Sequence, residues 1–192
     1  MAAANPNPTQ IAGLLAKAHR IDASLYASIA SSSTPSLDGP LALISDAANL
    51  SKPWIASAAL LSLFGGPRGR RAALYGVASI TTASTIVNAV MKPLSRRRRP
   101  DRAAMGVING RHVSMPTSSS FPSGHSASAF AFAAGVGHVM PAAGAALFLP
   151  AALVSYSRVH TGVHFPGDVA AGVLSGIAFA KLTSAVLDRR RG

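Results

Sequence analysis

Apolar runs constrain this chain more than any other feature. Five of them, at residues 41–64, 72–91, 124–139, 142–157 and 163–187, are parted by short polar breaks and one long polar loop at 92–122. A helix needs about 17–25 predominantly apolar residues to cross a bilayer. The run 72–91 meets that without a single charge, and 163–187 is polar mainly at its start. The runs 124–139 and 142–157, separated by Pro141, are short, so one polar loop end lies near the interface. The first run carries Asp46 and Lys52-Pro53. These are continuous runs rather than ten-residue alternations, which argues against a β-barrel. The expectation is an all-α integral membrane bundle of about five transmembrane helices.

Charged residues make up 12% of the chain, about half the share usual in a soluble domain. Ahead of the bundle, residues 9–31 place Ile11, Leu14, Leu15, Ile21, Leu25 and Ile29 at helical spacing, interrupted by Lys17, Arg20 and Asp22. That pattern predicts an amphipathic helix lying on the membrane, with a soluble surface helix as the bland alternative. "SSSTPSLDGP" (31–40) reads as a linker. The expected organisation is therefore 1–40 for the N-terminal helix and linker, 41–188 for the membrane core, and 189–192 for a basic tail. Polar Met1–Pro8 and the interrupted stretch after it give no cleavable signal peptide.

The net charge is +12, with fourteen arginines and no glutamate. Such a balance calls for anionic contacts: phosphate, anionic lipid or nucleic acid. With no cysteine, disulfides, thiolate metal sites and cysteine nucleophiles are excluded. High alanine and arginine content suggests a GC-rich bacterial genome.

Three clusters carry chemistry. "KPLSRRRRP" has Lys92, six residues, then Arg99-Pro100; "PSGH" covers Pro122–His125; "SRVHTGVHFPGD" has Ser157-Arg158, five residues, His164, three residues, Asp168. Each sits at the end of an apolar run, and antiparallel threading puts all of them on one membrane face. Lys92, Arg99 and Arg158 supply three positive charges, two of them forks suited to bidentate phosphate binding. Ser123 and Gly124 open a helix whose free N–H groups favour an anion, with no Cβ in the way. His164 and Asp168 have the spacing of an imidazole and its orienting carboxylate. His125 is placed to donate a proton to a leaving oxygen. No carboxylate cluster suggests a magnesium site, so neither metal nor cofactor is expected.

The three clusters, complete and in order, resemble the type 2 phosphatidic acid phosphatases, relatives of bacterial acid phosphatases, glucose-6-phosphatase and vanadium haloperoxidases. The resemblance implies that His164 forms a phosphohistidine, that Asp168 orients it and that His125 protonates the leaving alcohol. It implies that Lys92, Arg99, Ser123, Gly124 and Arg158 clamp the phosphate. The apolar runs point to the integral-membrane, lipid-acting branch. The expected partners are a lipid phosphate and the bilayer, not nucleic acid; oligomeric state is open. Candidate substrates are phosphatidic acid, phosphatidylglycerol phosphate, polyprenyl diphosphate and a polyprenyl phosphosugar. Decaprenylphosphoryl-phosphoribose is favoured if the source is an actinobacterium.

Rival readings are a lipid phosphotransferase using the same site, a non-enzymatic protein binding anionic lipid, and, remotely, a haloperoxidase. Each residue also has a bland role. His125 alone reads as a helix-end histidine, and Asp168 as a helix cap. His160 is expected to be mainly structural, with substrate contact as the lesser reading, His138 to be interfacial, and His19 and His112 to lie on the surface. Of the arginine run only Arg99 fits the motif; Arg96, Arg97 and Arg98 are left to headgroups, an extended pocket or topology. Arg68, Arg70, Arg71 and Arg189–Arg191 place the 65–71 loop and the C-terminus in the cytoplasm by the positive-inside rule. The active site then faces outward from a bacterial inner membrane, although Arg96–Arg98, Arg102 and Arg111 weigh against that side.

Overall fold

The computed structural model describes residues 7–107 and 109–190; Arg191 and Gly192 of the basic tail, and Met1–Pro6 of the N-terminus, lie outside them. Eight α-helices follow in order: α1 (Pro8–Ala30), α2 (Pro35–Ala47), α3 (Lys52–Phe64), α4 (Gly66–Ile86), α5 (Lys92–Ser95), α6 (Gly124–Val139), α7 (Pro141–His160) and α8 (Pro166–Arg189). A π-helical stretch, Val87–Met91, joins α4 to α5. No strand occurs among the described residues. Proline in the first turn of α1, α2, α3, α4, α7 and α8 marks helix starts where its missing N–H costs nothing.

Helix α6 is the axis of the bundle, packed by α4, α7 and α8. Its residues are small, so backbones approach closely. A Cβ on Gly176 of α8 would lie 2.4 Å from the carbonyl oxygen of Ala127, and one on Gly144 of α7 would lie 2.3 Å from Cα of Gly137. Small residues at helix contacts are how bundles pack in lipid, where the hydrophobic effect gives little drive. Trp54, Phe132, Val136 and Val154 fill the larger gaps.

The outer surface is apolar. Leu63 is 74% exposed, Phe64 81% and Leu149 78%, an arrangement that suits lipid rather than water. Among the described residues three helical stretches are long and apolar enough to cross a membrane: Gly66–Ser95, Pro141–His160 and Pro166–Arg189. The shorter α3 and α6 pack with them, α3 on α4 and α6 on α4, α7 and α8. Arg71 and Tyr75 near the start of α4 meet Asp188 at the end of α8, at 3.6 and 2.5 Å. The 65–71 turn and the C-terminal end therefore share one face.

Two expectations change. The run 41–64 is not one helix. It breaks at a 3-10 turn, Asn49–Ser51, where Leu50 and Ser51 both have φ near 57°, ahead of Lys52-Pro53. The stretch 31–40 is not wholly linker, because α2 begins at Pro35. Asp38 in its first turn is buried and accepts from Arg111 at 2.8 Å and from His160 at 2.9 Å. Arg111 is 1% exposed, so it is a structural brace rather than a surface charge. His160 belongs to that brace.

Helix α1 forms over the predicted residues, with Asn7 and Gln10 exchanging capping bonds. Ile11, Leu14, Leu15, Ile21 and Leu25 point outward. Its other face docks on the bundle through Tyr26, which meets Phe165 edge-on at 5.5 Å.

Candidate active site

The motif residues converge at one end of the bundle. His164 follows the last turn of α7, where Gly162 takes φ 69° and turns the chain. The His164 N–H donates to the carbonyl of Arg158 at 3.1 Å, so nucleophile candidate and clamp arginine are tied through the backbone. The imidazole is 1% exposed. Its Nδ1 lies 3.5 Å from Oδ2 of Asp168, and its Nε2 lies 3.2 Å from Nη1 of Arg99. Nε2 is thus the nitrogen that faces the cations. Burial pushes the ring pKa down to about 4, against the opposing pull of the nearby Asp168 carboxylate, so the ring is neutral at pH 7.

Asp168 caps helix α8 and faces the His164 ring. It is wholly buried. Oδ2 accepts the Phe165 N–H at 2.9 Å, which closes the first turn of α8, and it also accepts the Ser120 hydroxyl. Oδ1 accepts from Arg97 at 2.7 Å. Its backbone oxygen takes the Ser123 N–H at 2.9 Å, locking the start of α8 to the start of α6.

The candidate clamp residues come from four segments. Arg99 is fixed by its Nε on Ser118 O at 3.0 Å and its Nη1 on Val163 O at 2.8 Å. Arg158 is 1% exposed and donates through Nη1 to the Ser45 hydroxyl at 2.6 Å. Its buried Nε has no partner among the described residues, and an unpaired buried donor of this kind calls for an acceptor. Lys92 donates to Asn88 at 3.0 Å, and a Cβ on Gly124 would lie 3.4 Å from its Nζ. The Ser123 hydroxyl accepts from the N–H and hydroxyl of Ser126, at 3.4 and 3.0 Å, as an N-cap does.

Two cavities meet at Lys92. One, of about 200 Å³, has His125, Gly124, Asn88, Leu50 and Trp54 among its walls. The other, of about 510 Å³, is lined by Arg96–Arg99, Lys92 and Ser118–Ser119. At the first, His125 Nε2 lies 3.0 Å from Oδ1 of Asn49. An amide oxygen only accepts, so this bond keeps a proton on Nε2.

Three residues here carry no motif signal. Asn49 comes from the break in the first apolar run, Ser45 from the helix before it, and Arg97 from the arginine run. His160 is the reverse case: its sequence position is close to the motif, but its ring pairs with Asp38. His138 and Asp188 pair at the opposite end, and His19 and His112 are exposed. No group of three or more histidines and carboxylates able to hold a metal occurs among the described residues.

A family model described as the PAP2 superfamily matches residues 73–191. The chain is 37% identical over 131 residues to decaprenylphosphoryl-5-phosphoribose phosphatase of Mycobacterium tuberculosis, covering 67% of this chain and 68% of that protein. It is 40% identical over 70 residues to lipid A 1-phosphatase of Rhizobium johnstonii, covering 36% and 29%. Among solved structures it resembles LpxE of Aquifex aeolicus, with a TM-score of 0.66, 26% identity and coverage of 86% and 95%. A transmembrane PAP2-type phosphatidylglycerolphosphate phosphatase from Bacillus subtilis gives a TM-score of 0.67 at 24% identity, covering 90% and 87%, a likeness of fold.

Proposed function

The chain belongs to the PAP2 superfamily, and we propose that it uses His164 as the nucleophile with which it hydrolyses a lipid phosphate. It is an integral membrane phosphatase acting on lipid phosphates. The observation that carries the residue assignment is the two-sided setting of His164, with Nδ1 toward Asp168 and Nε2 at 3.2 Å from Arg99.

The lone pair on Nε2 attacks phosphorus, and the bond from phosphorus to the lipid oxygen breaks. His125, as the imidazolium, gives its Nε2 proton to that oxygen and becomes neutral, and the alcohol departs. Asp168 stabilises the charge that develops on the imidazole. Lys92, Arg99, Arg158 and the Gly124 N–H hold the equatorial oxygens. Water then attacks the phosphohistidine and passes a proton to neutral His125. The P–N bond breaks, and inorganic phosphate leaves. No step requires a metal ion.

A polyprenyl phosphosugar bearing a terminal phosphomonoester is the substrate class best supported. The likeness to a decaprenylphosphoryl-5-phosphoribose phosphatase supports it. The arginine-lined cavity beside the clamp adds room and charge for a second phosphate. The active site is assigned to the extracytoplasmic face, because Arg68, Arg70, Arg71 and Arg189 gather at the other end. A C-terminal reporter active only outside the cytoplasm would reverse that side.

The test is phosphate release by purified protein across a panel of lipid phosphates, with EDTA present. The phosphosugar should be turned over fastest, with EDTA having no effect. Preference for phosphatidic acid would overturn the substrate, and loss of activity in EDTA the metal-free reaction.

A further inference from the structure

Helix α1 reaches the catalytic loop through one charged strut. Asp22 interrupts the apolar pattern of α1, and its side chain is 10% exposed. One carboxylate oxygen, Oδ2, accepts from Arg97 Nη2 at 2.6 Å; the other, Oδ1, accepts the Gly167 N–H at 2.6 Å. Arg97 uses its second nitrogen, Nη1, on Asp168 at 2.7 Å, and its guanidinium lies over the Phe165 ring at 4.5 Å. His19, three residues before Asp22, stands 3.3 Å from Arg97 and 5.8 Å from the Phe165 ring centre. The loop is thus held at Gly167 directly, and at Asp168 through Arg97, by a helix outside the residues that the family model matches.

We propose that Asp22 and Arg97 form a positioning pair that sets the orientation of Asp168, and through it that of His164, from the amphipathic helix α1. Both terminal nitrogens of Arg97 are already engaged by carboxylates, Nη1 by Asp168 and Nη2 by Asp22. Arg97 occupies Oδ1 of Asp168, which leaves Oδ2 turned toward His164 Nδ1. Asp22 compensates the guanidinium charge, so Arg97 holds Asp168 without stripping it of its negative charge. A planar fork spans two carboxylates as an ammonium does not. The close approach depends on glycine, since a Cβ on Gly167 would lie 2.8 Å from Asp22 Oδ2.

This pairing rests on His164 being the nucleophile, so the experiment carries His164→Ala as its control. Asp22→Asn, Arg97→Lys and the double variant are purified, their folded fractions matched by thermal unfolding, and kcat and KM measured on a lipid phosphomonoester. A displacement of the order of an ångström at a reacting group costs up to about a hundredfold in rate. Asp22→Asn should lower kcat about tenfold with KM within about twofold, and Arg97→Lys should lower it at least as far. The double variant should be no worse than Arg97→Lys alone, because both changes break one strut. Additive losses, a rise in KM matching the fall in kcat/KM, or unchanged kcat would each overturn the pairing. An active His164→Ala protein would instead overturn the nucleophile assignment, so the two failures are distinguishable.

Discussion

Asp168 lies 3.5 Å from Nδ1 of His164 while accepting bonds from Arg97, Ser120 and the Phe165 backbone. The carboxylate is therefore fixed independently of the ring it faces, as the proposed orienting role requires. Replacement by asparagine keeps the shape and removes the charge that stabilises the imidazolium. Asp168→Asn should lower kcat by about 10³–10⁴-fold with little change in KM. Steady-state kinetics on a soluble short-chain lipid phosphate check this, and a loss below tenfold would deny Asp168 its role.

The pKa of His164, pushed down to about 4 by burial, sets the acid side of the pH profile. The proposed nucleophile is neutral above that value, so the acid limb of kcat/KM should fall near 4, after correction for the second ionisation of the phosphomonoester near about 6. The same shift affects stability. Unfolded His164 binds a proton at its ordinary value of 6.5, while the folded ring does not until about 4. Its contribution is therefore full above 6.5 and is lost as pH falls toward 4. An acid limb at 6.5 would show a solvated ring.

Asn49 keeps a proton on His125 Nε2. Asn49→Ala should cost about 10–100-fold in kcat on a lipid substrate, a part of what general acid catalysis supplies. The deficit should shrink on a substrate whose leaving group needs no proton, such as a nitrophenyl phosphate. An equal loss on both substrates would place Asn49 outside proton transfer.

Gly176 meets the backbone of Ala127, with a Cβ contact of 2.4 Å to its carbonyl oxygen and 3.1 Å to its Cα. Neither atom moves without shifting a helix. Gly176→Ala should destabilise the α6–α8 contact by about 1–3 kcal/mol, read as a lower Tm in detergent. KM should stay unchanged in the folded fraction.

The convergence of the candidate site was legible because its residues stand at the polar ends of apolar runs. Lys92, Ser123, Arg158 and Asp168 each end or begin such a run, and antiparallel packing gathers them. What periodicity could not reveal was contact over long sequence separation. Arg97 is one of four adjacent arginines with no helical phase to single it out, and its partner Asp22 lies far back in the chain. Asn49 reaches His125 only because Leu50 and Ser51 take a left-handed backbone, which neither residue favours by itself. The Asp38–Arg111–His160 brace was hidden for the same reason: three charged or titratable groups bury one another across separate segments.

Rapid-quench trapping with a lipid phosphate labelled with ³²P in its terminal phosphate tests the central claim most directly. Label should appear on the protein within one turnover, resist alkali, be lost in acid, and map to the peptide containing His164. It should be absent from His164→Ala. Label persisting in that variant, or turnover of the wild-type protein without any covalent phosphate at millisecond sampling, would contradict a phosphohistidine at His164.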